Sequence, residues 1–277
     1  PFLTELLCSN LPASRFFQPA TFFMLLIVYG LPVLTIREIS VRWKLGCGGI
    51  LVLGLAYGIF NEGVCAKTLL LNQMTPVDAF DGYAVGGINF AWAICILVWH
   101  ALHSTLYPIL LVSYFYPSPG NSPWLKDKTL VASTLAFLLV GASCFLLSKT
   151  PSASPGYLLL FLTIMAGLAL LAPEAPELFR LEDLPRDKPT AGPAATGFVF
   201  YLVYMFGLIL LAKNKIPTLA LLAYAVLTLA GTWRFIRMKC WITMPSLVMF
   251  ILGDYIAVAG FALLGGIVKS STEIILV

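Results

Sequence analysis

The sequence predicts an all-α integral membrane protein, a polytopic bundle of about eight transmembrane helices. Composition, run length and charge placement carry that reading. Hydrophobic residues make up 60% of the 277 and charged residues 11%, against roughly half apolar and a quarter charged in soluble domains. The apolar runs are continuous over roughly 20 residues, the length a helix needs to cross about 30 Å of hydrocarbon. Barrel strands would alternate instead. Lys and Arg cluster in short segments between the runs, which is the signature of membrane orientation and not of nucleic-acid binding. Disorder is excluded, because disordered chains are poor in apolar and aromatic residues.

Taken in order, the spans fall near 18–37, 47–71, 87–115, 129–148, 156–172, 194–212, 217–235 and 243–268. The second carries small residues at Gly54 and Gly58, which permit close approach by another helix. The third is long enough to tilt and is interrupted by Pro108, the fifth opens at Pro155-Gly156, and the eighth opens after Met244-Pro245. Loop two, NQMTPVDAFDGYAVGG, is the main external loop, with Asp78 and Asp81 as solvated surface residues, and YPSPGNSPW is a stiff turn. Segment 173–193 holds five prolines and mixed charges, so it reads as a solvated cytoplasmic connector between a five-helix and a three-helix part of one transmembrane domain, 1–277. The halves share no motif that would mark a duplication.

Orientation follows from the loops. Loops one, three, five and seven carry Arg37, Arg42, Lys44, Lys126, Lys128, Arg180, Arg186, Lys188, Arg234, Arg237 and Lys239. The opposite side carries Arg15, Lys67, Lys149, Lys213, Lys215 and Lys269. The positive-inside rule therefore places both termini on the non-cytoplasmic side. The opening residues PFLTELLCSN lack a basic segment followed by a long apolar one, so no cleavable signal peptide is expected there. Cys8, Cys47, Cys65, Cys95, Cys144 and Cys240 are dispersed without a C-x-x-C pair, which indicates neither a disulfide framework nor a zinc ribbon.

Ionisable residues within spans cost about 2.5–3.5 kcal/mol each on insertion scales and are functional candidates for that reason. Here they are Glu62 in the second span, His100 and His103 in the third, and Asp254 in the eighth. At about 1.5 Å of rise per residue they converge on one level of the bilayer. Gly54, Gly58, Glu62 and Ala66 form one stripe, Asn89, Ala93, Ile96, His100, His103 and Tyr107 a second, and Ser246, Phe250, Asp254 and Val258 a third. Pro108 cannot donate to the carbonyl of Ser104, which predicts a kink just past His103. Trp99 is placed to line an apolar pocket, and Lys67 to snorkel to the outer surface.

Carboxylates and imidazoles in a low-dielectric site suit general acid–base work. His100, His103 and Glu62 also match zinc or non-haem iron ligation in kind. No haem is expected within one subunit, because both histidines lie on one helix. The expected function is an intramembrane enzyme acting on an apolar lipid or isoprenoid-type substrate, by cyclisation or hydrolysis, with Glu62, His100, His103 and Asp254 catalytic. Its partners are the bilayer and an apolar small molecule. A proton-coupled small-molecule transporter, a non-catalytic subunit of a membrane complex, and pairs that merely lock helix packing are the alternatives.

Two partial resemblances accompany these residues. Asn61-Glu62-Gly63-Val64-Cys65-Ala66-Lys67 with Trp99-x-x-x-His103 resembles in part the motifs of CAAX-type intramembrane proteases. Asn61 stands where that family has a first Glu, Lys67 is displaced by one from its Arg, and the chain has no third-motif histidine. Glu62 and Asp254 occupy spans similar to those of the carboxylates in membrane-embedded terpene cyclases. Each covers a few residues, and no family is claimed on them.

Overall fold

A computed structural model describes residues 13–71, 75–116, 122–147, 154–186, 188 and 191–268. Among these residues, eight helices are long and apolar enough to cross a membrane: Pro19–Arg42, Cys47–Cys65, Phe90–Phe115, Asp127–Leu146, Pro155–Glu174, Gly192–Lys213, Thr218–Met238 and Met244–Leu263. They are the first to eighth spans below, and the all-α membrane fold is the one the composition predicts. Cys8, Lys149 and Lys269 lie outside the described residues.

Proline and π turns shape the spans that matter. The first span passes through a π turn at Leu26–Gly30 just before Pro32. Pro32 has no N–H for the Val28 carbonyl one turn back, and the Tyr57 hydroxyl of the second span donates to that oxygen at 3.1 Å. The third span winds as a π turn over His100–Leu106, where the Tyr107 N–H bonds the Leu102 carbonyl. That winding shifts the position of the free acceptor. With i→i+5 bonding, Pro108 faces the His103 carbonyl instead of Ser104, and the Tyr255 hydroxyl donates to it at 3.1 Å.

The second span stops at Cys65, short of the 71 expected, because Lys67 takes the left-handed conformation at φ 59° and Thr68–Leu70 continues as a short 3-10 turn. Lys67 does not snorkel. It is 1% exposed, and its Nζ donates to the Phe145 carbonyl at 2.5 Å and sits over the Phe145 ring. That carbonyl is in the last turn of the fourth-span helix, where carbonyls lack helical partners and a cation is favoured.

The first span runs past 37 to Arg42 because its end is clamped. Glu38 is fully buried and accepts Arg37 Nη1 at 2.5 Å and the Trp124 and Leu125 amides at 3.0 and 3.1 Å. Arg37 stacks over Trp124, and Arg42 pairs with Asp127 at the start of the fourth span. The described residues of the 173–193 connector are mostly exposed, but it is pinned at two points. Its Phe179 carbonyl accepts the Cys47 amide and its Pro185 carbonyl the Met244 amide, each at 2.8 Å. It thus closes over the starts of the second and eighth spans.

Loop two is also folded. Strands Ala84–Val85 and Ile88–Asn89 form a hairpin turned at Gly86 and Gly87, both at positive φ. Asp78 is exposed, but Asp81 accepts the Thr75 amide and hydroxyl at 2.9 and 2.8 Å, so it is not simply solvated. Tyr83 hydrogen-bonds the Ala212 and Ile216 carbonyls, and burial pushes its phenol above the ordinary range. Asn89 leaves the expected stripe to cap the third span. Its side chain accepts the Trp92 amide at 3.0 Å and donates to Phe80 and Leu71 carbonyls.

Candidate functional site

Glycine decides which spans meet. A Cβ on Gly54 would come within 2.7 Å of Ala101 Cα, and one on Gly58 within 3.2 Å of His100 Cβ. Only small residues let the second and third spans approach that closely. Gly197 of the sixth span would carry its Cβ to 3.1 Å from the Asp254 amide, and Gly253 faces the Ala194 backbone. The eighth span is thus seated against the sixth at the level of its acid.

The four sequence-derived residues do not form one cluster. They form two pairs, divided by the third span. Glu62 Oε1 lies 2.8 Å from His100 Nε2, and Asp254 Oδ2 lies 2.7 Å from His103 Nε2. All four residues are at most 8% exposed. Residues three apart on an α-helix lie nearly above one another. The π turn puts more residues into each turn and swings His103 further round from His100. Among the described residues no three His, Cys, Asp or Glu side chains gather as a metal site. The ligand trio expected of His100, His103 and Glu62 is therefore split, with His103 turned to Asp254.

The Glu62 pair sits in a continuous polar chain. Trp92 Nε1 donates to Thr68 Oγ1 at 2.9 Å, and Thr68 Oγ1 donates to Glu62 Oε2. His100 Nε2 faces Glu62 Oε1 at 2.8 Å and its Nδ1 meets Ser104 Oγ at 3.0 Å. Tyr29 stacks on the His100 ring and Tyr57 meets it edge-on. Every polar atom of this pair has a partner.

The Asp254 pair is built differently. His103 and Asp254 approach closely, but neither ring nitrogen of His103 and neither oxygen of Asp254 has an aligned hydrogen-bond partner. The Tyr107 hydroxyl lies beside Asp254. Trp99 does not line the large apolar cavity of the bundle. It stacks on His103 with centroids 3.9 Å apart, and Tyr107, Tyr201 and Tyr255 complete an aromatic wall around that imidazole. Buried polar groups are ordinarily satisfied; here, as at Thr35, Arg42 and Thr105, buried polar atoms lack well-aligned partners.

A cavity lies beside these groups, although the Tyr107 hydroxyl and the polar atoms of His103 and Asp254 are themselves enclosed. A space of about 380 Å³ lies among the second, third, sixth, seventh and eighth spans, walled by Leu102, Leu106, Phe200, Trp233, Phe250 and the connector's Phe179. Its wall is almost wholly apolar, and Tyr107 is part of it. Glu62, His100, His103 and Asp254 do not line it. Tyr107 therefore joins the cavity to Asp254. Its place four residues after His103 made it legible on the same stripe. Ser104 was equally legible four residues after His100. Thr68, across the left-handed Lys67, carried no sequence signal. Glu38 did, through Arg42 at i+4.

Residues 1–175 match the profile of a family described as an uncharacterized membrane protein family. The chain belongs to that family. The matched part holds the first five spans, and so the complete Glu62–His100 pair with Thr68 and Ser104. It includes His103 and Tyr107 but ends before Asp254. Neither a curated protein nor a solved structure gives a significant match.

Proposed function

We propose that this multi-pass membrane protein is an intramembrane enzyme acting on an apolar, lipid- or isoprenoid-type molecule held in the 380 Å³ cavity. The observation that carries this reading is Tyr107, which lines the cavity while its hydroxyl adjoins the buried Asp254. The volume lies within the range of small-molecule sites, about 300–1,000 Å³, and such sites pair an apolar wall with a few placed polar groups. In this reading Tyr107 is the catalytic residue. It passes a proton between the bound molecule and Asp254, and His103 takes up or returns that proton as the reaction needs. His103 and Asp254 are positioning and relay groups acting through Tyr107. Glu62 and His100 do not reach the cavity, and their role is to hold the third span in its π-turned register. The basic loops one, three, five and seven would face the cytoplasm, and the connector would cover the cavity from that side.

The test is conversion of a membrane lipid extract by the protein in proteoliposomes, read by untargeted mass spectrometry. Wild-type protein is expected to change the mass of at least one apolar species, and Tyr107→Phe and Asp254→Asn to leave that species unchanged. Identical profiles for wild type and Tyr107→Phe, with both proteins folded, contradict the proposal.

A second reading rests on the Trp92–Thr68–Glu62–His100–Ser104 chain, which runs from the loop-two end of the bundle into its middle. A chain of exchangeable protons running through a buried carboxylate suits a proton-coupled transporter. That reading requires pH-driven uptake into proteoliposomes that Glu62→Gln abolishes.

A further inference from the structure

The end of the second span and the end of the fourth meet along one face. Gly141, Cys144 and Phe145 stand at i, i+3 and i+4 on the fourth-span helix, so they share a side of it. A Cβ on Gly141 would sit 3.4 Å from Cys65 Sγ. One turn on, Lys67 Nζ is bonded to the Phe145 carbonyl. Between those two contacts, the Cys65 and Cys144 thiols are neighbours. Neither thiol is fully enclosed, whereas Cys47 and Cys95 are buried apart from them.

We propose that Cys65 and Cys144 form a disulfide in the mature protein, tying the second span to the fourth. The site is at the end of the bundle that carries fewer Lys and Arg, which the positive-inside rule turns away from the cytoplasm. Disulfides form and persist on that side of a membrane. Each thiol gives up its proton, a sulfur–sulfur bond forms, and the two electrons reduce the disulfide of an oxidant of the thiol–disulfide exchange class to two thiols. The bond closes a loop that contains the third span and the hairpin of loop two, and it ends three residues from Glu62 in sequence. It fixes the segment from which Glu62 and Thr68 face His100, without touching the cavity.

The test uses the full chain in its own membrane, quenched with acid and alkylated without reduction, then digested for mass spectrometry. The expected result is a cross-linked peptide pair joining Cys65 to Cys144, with the exposed Cys240 alkylated as the internal control. Adding a reductant should release both thiols and lower the melting temperature by about 5–10 °C, in line with closure of a long loop. Cys65→Ser and Cys144→Ser should each lose the cross-link and the response to reductant. Alkylation of both Cys65 and Cys144 before reduction, in wild-type protein, overturns the proposal. So does a reductant response that persists in either serine variant.

Discussion

The two histidines of the third span stand three residues apart and each faces a carboxylate, yet their surroundings have opposite character. His100 belongs to a saturated polar chain in which indole, hydroxyl, carboxylate, imidazole and hydroxyl succeed one another. His103 belongs to an aromatic enclosure in which imidazole and carboxylate lie close together without an aligned hydrogen bond, beside a phenol. A fully satisfied buried network rigidifies what it joins, while a partly satisfied one is costly to keep. Under the proposed function, the first pair serves structure and the second chemistry. The pairs also differ in their place in the chain, since the family match contains the first pair whole and only half of the second.

The largest expected effect separates the pairs by activity. Asp254→Asn should reduce turnover by about 10²–10⁴-fold, the range of a lost acid–base group. Glu62→Gln should change turnover less than about tenfold but lower stability in detergent by about 1–3 kcal/mol, the range for a buried charged hydrogen bond. The check is one turnover assay and one thermal unfolding series on both variants. The reverse ranking would exchange the two assignments.

An intermediate effect is expected from the glycines that seat each pair. Gly197→Ala drives a methyl group into the backbone of the eighth span beside Asp254, and Gly54→Ala drives one into Ala101 beside His100. Each should cost about 1–3 kcal/mol as overpacking. Gly197→Ala alone should also lower turnover, because it displaces Asp254. Denaturant titration and the turnover assay together sharpen the distinction, and equal turnover losses would blur it.

The smallest effect is local. Tyr255→Phe removes the hydroxyl that satisfies the His103 carbonyl, and Ser104→Ala removes the acceptor or donor on His100 Nδ1. Each should lower stability by about 0.5–1.5 kcal/mol. The pH dependence of turnover should move with Tyr255→Phe and stay fixed with Ser104→Ala, as pH–rate profiles in proteoliposomes would report.

Much of the fold was readable because membrane spans announce themselves by length and apolarity. The ionisable residues were readable for the same reason, each standing out in an apolar run. Their pairing was not. It depends on a π turn over His100–Leu106, which no spacing rule anticipates, and an α-helical reading keeps His100 and His103 on one stripe. Loop and end residues were misplaced where tertiary partners outweighed local pattern. Lys67 found a helix C-terminus within reach, and Asn89 a helix start. The cavity was illegible because its wall comes from five spans and the connector, none of which is unusual alone.

The chain has only two histidines, so imidazole nitrogen NMR of ¹⁵N-histidine-labelled protein in detergent or nanodiscs observes both sites at once. The separate-site account predicts that Glu62→Gln displaces the His100 resonances alone, and that Asp254→Asn and Tyr107→Phe displace those of His103 alone. Displacement of both imidazoles by either carboxylate substitution would show one coupled site and contradict it.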